Sequence, residues 1–319
     1  MMSQILALLS SVETVPANDR GEPWAIHLST AAVSVLLEEA ELTPKPALVD
    51  QRGNGAHHDL NLARLRRSAQ SLQDGFADIA RAAAVEKPSL QIREQIGRIG
   101  RDMERRMLAA TDGSNAHRGA IWALGLLVAA AAPRRWDRNA AGIAVAAAAL
   151  ARLPDQFAPR PPSNGERARL QFGAAGARGE AQAGFPHAIR VGLPMLRATR
   201  SRGAPENSAR LDALMAIMAS LDDTCLLHRG GLAALDAAKA GARAVLAAGG
   251  TASPAGLQRL HRLHGELMAR WASPGGSADL LGVTLFLDQL EGGLLMTTTS
   301  HEATTPELLK SRDVGAGSH

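Results

Sequence analysis

The strongest constraint on this chain is the make-up of its apolar residues: 46% of 319 residues are hydrophobic, yet only 3% are aromatic and Tyr is absent. Alanine and leucine must therefore fill the interior. Small and straight-chain residues favour closely packed helices, whereas strands draw on branched and aromatic side chains. The expected fold is all-α: a single multi-helical, bundle-like domain with its functional loops at helix ends.

Apolar periodicity predicts about nine or ten helices and no strand alternation. The first runs over residues 24–42 and stops before Pro44 and Pro46. Others are predicted from Asp59 to Ala84, Ser89 to Ala110 and Ala120 onward, and over 140–151, from Asn207, over 232–246 and over 255–270. The segment SPGGSADL opens the last. Residues 154–176, rich in Pro, Gly and charge, read as an ordered excursion or lid. The expected organisation is a variable segment over 1–23, a catalytic domain over 24–296 and a partly mobile tail over 297–319.

The net charge of +4 suits a phosphorylated ligand, but no basic run or aromatic ladder points to nucleic acid. The stretches GAIWALGLLVAAAA and AAGIAVAAAALA are too short to span a bilayer and are separated by PRRWDRN. The first residues lack signal-peptide architecture, so cytoplasm is the plain expectation. A single Cys225 excludes an internal disulfide and reads as a core thiol. Neither HExxH nor a Cys/His cluster supports zinc, and His27, His261 and His264 read as structural or surface residues.

Polar residues gather in islands between the helices. The first holds Glu39, Lys45, Asp50, Asn54, His57, His58, Asp59 and Asn61. The second, Asp112, Asn115, His117 and Arg118, stands at a helix start, where free N–H groups bind phosphate. Arg178 and Glu180 form a third among glycines, Asp222, Asp223, His228 and Arg229 a fourth, and Ser277 with Asp279 a fifth. Each island alone also allows an ordinary helix cap or solvated loop. Together they suit one site for a strongly anionic ligand: Lys45 meets phosphate, while Glu39, Asp50 or Asp59 holds Mg²⁺ or takes a proton.

The order of LTPKPALVD with GNGAHHDLN, GSNAHRGAIWALGLL, GARGEAQAGFP, DDTCLLHRGG and PGGSADLLGVTLFLD resembles the triphosphoribosyl-dephospho-coenzyme A synthase family over residues 24–290. The form DDTCLLHRGG is more similar to its malonate decarboxylase branch than to its citrate lyase branch. The resemblance implies an all-helical, divalent-cation-dependent transferase. It would join the triphosphoribosyl group of ATP to 3′-dephospho-coenzyme A, release adenine, and so make a prosthetic-group precursor for an acyl carrier protein. Transient contact with that carrier protein or with a prosthetic-group transferase is the implied partnership.

Carried onto this chain, the resemblance matches His57, Asp59, His117 and Glu180 to family motifs, and with Glu39 from the first island the side-chain chemistry of the implied reaction makes Glu39, Asp59, His57, His117 and Glu180 the catalytic candidates. Glu39 or Asp59 is expected as the base, and His57 or His117 as the aid to leaving-group protonation. Lys45, Asn115, Arg118, Arg178, His228, Arg229 and Ser277 are the expected substrate contacts, and Asp50, Asp222, Asp223 and Asp279 the expected Mg²⁺ ligands. Two positions depart from the family pattern: Asn61 replaces an acidic residue and Ala47 a glycine. Rival readings are a helical Mg²⁺-dependent nucleotide or ADP-ribose hydrolase, and a non-catalytic module binding coenzyme A or a carrier protein.

Overall fold

The structure is a computed structural model describing residues 23–84, 88–132, 139–158 and 164–301. Expectations for 1–22 and for the tail beyond 301 lie outside those residues, as does part of the 154–176 excursion. Among the described residues the architecture is all-α, the only β-type feature being one isolated bridge between Asp50 and Gly53. The elements are α1 (Pro23–Glu41), α2 (Leu62–Ser71), α3 (Gln73–Ala83), α4 (Leu90–Ala110), α5 (Arg118–Ala131), α6 (Ala140–Arg152), α7 (Asn164–Phe172) and α8 (Gly176–Gln182). A π-helical turn over Ala188–Gly192 leads into α9 (Leu193–Ser201), followed by α10 (Glu206–Ser220), α11 (Thr224–Ala247), α12 (Pro254–Ala269) and α13 (Gly275–His301).

Several helix starts follow from capping chemistry. Ser89, Asn139 and Ser253 each accept a backbone N–H of the first turn, and Pro254 occupies the first helical position of α12. Asn61 does the same for α2, accepting from Arg64 N–H at 2.9 Å. Its amide oxygen therefore does the work of a cap, which an aspartate does equally well.

Three elements differ from the expected pattern. The helix expected from Asp59 to Ala84 is two, α2 and α3, joined at the buried Leu72. Without Pro or Gly at the break, periodicity does not reveal it. The segment DDTCLLHRGG and the helix expected over 232–246 form one element, α11, kinked where Gly231 takes φ +62°. Part of the 154–176 excursion is helical, as α7, packed on α11 and α8.

The two alanine-rich apolar stretches are α5 and α6, lying side by side, and among the described residues no helix is long and apolar enough to cross a membrane. Helix α13 is the hub, touching α1, α5, α6, α9, α10 and α11. One continuous core joins these helices, and a small satellite of Ala40, Val49, Leu60 and Leu65 underlies the polar loop after α1.

One buried carboxylate ties two helix starts together. Asp223 Oδ1 accepts N–H groups from Cys225 (2.8 Å) and Leu226 in α11 and from Gly276 (3.2 Å) in α13. Its Oδ2 accepts from Ser277 N–H (2.7 Å) and Ser277 Oγ (2.9 Å). Burial drives its pKa above the usual carboxylate range despite these bonds, Ser277's being the strongest. An amide in its place would face the Ser277 N–H with a second donor. The Asp223→Asn chain is therefore expected to lose about 2–3 kcal/mol, measured by denaturant unfolding; a loss near zero would show that the double cap does not hold the joint.

Candidate active site

The polar loop between α1 and α2 folds back on α1 through Lys45, which is 1% exposed. Its ammonium donates to the Glu39 backbone oxygen and to Glu39 Oε1, both at 2.6 Å. A lone charge buried so deeply is costly, and removing either partner of such a pair typically costs ~3–5 kcal/mol. Lys45 N–H donates to Asp50 Oδ2 (2.9 Å), and Arg52 clamps the same oxygen (2.7 Å) and the Lys45 carbonyl (3.1 Å). Burial opposes ionisation of Asp50, but the bonds from Arg52 and from backbone N–H groups bring its pKa net below the usual range. Ala47 adopts φ +55°, so a glycine there would be unstrained. Its N–H donates to His264 Nδ1 (3.2 Å), pinning the loop to α12.

Arg229 of α11 holds the other end of this loop, donating to the Ala56 carbonyl (2.9 Å) and to His57 Nδ1 (3.2 Å). Because Arg229 is donor only, His57 carries its proton on Nε2. Burial first, then the charges of Arg229 and Lys45, lower the His57 pKa to about 4 against the opposing pull of Asp59. Asp59 itself points outward, its side chain 57% exposed.

His117 lies buried where the chain enters α5, its Nδ1 2.7 Å from Ser68 Oγ. Its Nε2 has no protein partner. Burial lowers its pKa to about 4, with Glu39 pulling upward and Lys45 downward, so His117 lies within reach of both charges. Both histidines are thus neutral at pH 7 in the free protein. Neither brings a ready proton to a leaving group; each offers a neutral ring.

From α13, Asp279 reaches the first turn of α5, where the Ala120 N–H favours its charged form. Gly119 makes room for it: a Cβ there would lie 2.0 Å from Asp279 Oδ2. Burial, then Glu39 and Asp223, push the Asp279 pKa well above the usual range. Glu39, Lys45, His117 and Asp279 therefore converge where α1, α5 and α13 meet, with Asp223 and Ser277 fixing the joint behind them. The same surroundings raise the half-buried Cys225 thiol well above its usual pKa, through burial, Asp223 and Asp279. Those surroundings disfavour the thiolate form.

Other expected site residues lie elsewhere or are already engaged. Lys45, expected on phosphate, is bonded to Glu39. Asp222 is exposed and paired with Lys239, unlike its buried neighbour. Arg118 is exposed and pairs with Glu104 (3.1 Å), while Asn115 caps α5 through the Arg118 N–H. Arg178 and His228 are exposed. Glu180 is buried and uses both oxygens on His187, accepting its N–H and meeting its Nδ1, each at 2.8 Å. That contact shapes the entry to the π-helical turn.

Among the described residues no three His, Cys, Asp or Glu side chains converge as a metal shell. Of the four acids expected on Mg²⁺, Asp50 and Asp223 spend their oxygens on protein donors and Asp222 faces outward. Asp279 is the one directed at the centre. Sequence reasoning missed Arg52, Ser68 and His187. Arg52 stands two residues from Asp50 and His187 just past GARGEAQAGFP, so proximity was a usable signal for both; Ser68 carried none.

The cradle is testable. Ala is a better helix residue than Gly by ~0.5–1 kcal/mol, so Gly119→Ala should keep α5 while pushing the Asp279 carboxylate away from its first turn. Turnover in the reaction that the sequence resemblance implies, followed as adenine release, is expected to fall by about tenfold or more, read by chromatography alongside Tm; unchanged turnover would remove Asp279 from the working site.

Comparison with known proteins identifies the family. Residues 25–298 match the family described as CitG, ATP:dephospho-CoA triphosphoribosyl transferase. A 2-(5''-triphosphoribosyl)-3'-dephosphocoenzyme-A synthase of Klebsiella pneumoniae is 55% identical over 269 residues, covering 84% of this chain and 95% of that protein. Probable synthases of the same name from Pseudomonas fluorescens and Azotobacter vinelandii are 53% and 54% identical, covering 84% and 88% of this chain and 93% and 95% of theirs. No solved structure matches the chain. The chain belongs to the ATP:dephospho-CoA triphosphoribosyl transferase family.

Proposed function

We propose that this protein transfers the triphosphoribosyl group of ATP to 3′-dephospho-coenzyme A and releases adenine. The observation that carries the reading is the family match over residues 25–298, joined to the convergence of four of the five motifs on one buried centre. Lys45 comes from the first, with Glu39 three residues ahead of that motif, His117 from the second, Asp223 from the fourth and Asp279 from the last. The third motif contributes at one remove, since Trp122 Nε1 of α5 donates to the Ala177 carbonyl (3.3 Å).

The chemistry needs a proton acceptor and charge control at the reacting ribose. A hydroxyl oxygen of the dephospho-coenzyme A ribose bonds to C1′ of ATP; the C1′–N9 bond breaks, its electrons go to adenine, and adenine takes up a proton. Positive character grows on the ribose as that bond weakens, and a carboxylate stabilises it. Glu39 fits the acceptor role better than Asp59, because it lies inside the centre while Asp59 faces water. The His57 Nε2–H and the unpartnered His117 Nε2 are the groups left to meet adenine. The ~four negative charges of the triphosphate raise the pKa of both rings when ATP binds, which favours donation then.

Mg²⁺ accompanies the triphosphate in this reading. Asp279, with Glu39 near it, is the side chain that would hold the ion, whose charge would offset that of the phosphates. Arg229 is the cation at the rim best placed for phosphate, since it already joins the polar loop to α11. The form DDTCLLHRGG supports the malonate decarboxylase branch, with the product serving the acyl carrier protein of that enzyme and the reaction running in the cytoplasm.

Mass spectrometry of a reaction containing the protein, ATP, dephospho-coenzyme A and Mg²⁺ tests the function. The expected outcome is stoichiometric adenine and triphosphoribosyl-dephospho-coenzyme A. Cleavage of ATP at a phosphoanhydride, or of its glycosidic bond with no need for dephospho-coenzyme A, would instead mark a hydrolase.

A further inference from the structure

Trp271 ends α12 in an unusual way. Its N–H donates to the Met268 carbonyl (3.0 Å) and the Ala272 N–H to the Leu267 carbonyl (3.1 Å), the bond pattern of a helix closed by a left-handed residue. Glycine normally fills that position, yet Trp271 takes φ +47° there and leaves 47% of its surface exposed. It is one of two largely exposed aromatic residues among those described. Its ring lies 4.1 Å from that of His58, tilted by 34°.

The surroundings place this pair at the rim of the candidate site. His58 follows His57, which Arg229 holds. The next residue of α11, Gly230, packs against Ala272 and the Arg270 carbonyl, so a Cβ there would sit 3.3 Å from Ala272 Cβ. Five residues past Trp271, Gly276 meets Asp223. The polar loop, the start of α11 and the α12–α13 joint thus form one edge, and an indole face is held on it.

We propose that Trp271, backed by His58, is a stacking platform for a purine base of the nucleotide substrates. The proposal rests on the transferase reading, in which ATP and dephospho-coenzyme A each bring an adenine. A bulky side chain kept at a strained backbone position, in a chain so poor in aromatics, is placed for its ring and not for its helix. Aromatic stacking binds any purine through its π-face, and Arg229 nearby suits the phosphates that follow the base. The two sources of adenine share this chemistry, and separate titrations distinguish them.

The test uses intrinsic fluorescence and steady-state kinetics on the full chain, comparing wild type with Trp271→Phe and Trp271→Gly. ATP or dephospho-coenzyme A, titrated singly, should quench the emission that Trp271→Phe removes, whereas tripolyphosphate and 4′-phosphopantetheine should not. Trp271→Gly relieves the backbone strain and should fold, yet raise KM for the stacked substrate about tenfold, equivalent to about 1.4 kcal/mol, with a smaller effect on kcat; Trp271→Phe should keep most of the affinity. The substrate whose KM moves is the one stacked. Unchanged KM for both, or equal quenching by the purine-free phosphates, would overturn the platform. Purine-dependent quenching without adenine release would instead overturn the transferase reading and leave the platform standing.

Discussion

The arrangement depends on a carboxylate that serves two helices at once. Asp223 gathers four backbone N–H groups and one hydroxyl from the starts of α11 and α13, leaving none of them unpaired in an apolar interior. Because it fixes where α13 begins, it also fixes where Asp279, one turn further in than Gly275, meets α5. Packing sets the helices side by side; this cap sets their phase.

A second buried charge completes the centre. Lys45 crosses from the polar loop to the end of α1 and holds Glu39 by both its backbone and its side chain. The proposed reaction thus has a carboxylate beside a fixed ammonium, with Asp279 opposite and two neutral imidazoles near. Such a centre holds its charges in place before substrate arrives, so little reorganisation is needed as charge develops on the ribose. The loop carrying Lys45 is itself pinned at three points: Arg52 on Asp50, His264 on Ala47 and Arg229 on Ala56.

The all-α architecture was legible because a core without Tyr and rich in Ala and Leu has few alternatives. Helix starts at Asn61, Ser89 and Ser253 were legible in kind, since short polar side chains cap. The break at Leu72 was not, because tertiary packing made it with no Gly or Pro to mark it. Asp222 and Asp223 were indistinguishable in sequence; only the fold decides that one caps two helices and the other meets Lys239 at the surface. Likewise Lys45 read as a phosphate contact because its partner Glu39 lay across a loop, and the Asp223–Ser277 bond spans 54 residues. Asn61 and Ala47, the two departures from the family pattern, sit at a helix cap and in a left-handed turn.

In this account Glu39, as proton acceptor, and Asp279, as the carboxylate that would hold Mg²⁺, serve the same reacting nucleotide. A double-mutant cycle on adenine release, combining Glu39→Gln with Asp279→Asn, measures this directly. If the two carboxylates work together, the double variant should be no slower than the slower single variant. Losses that multiply, each substitution acting in full on the background of the other, would contradict a shared centre.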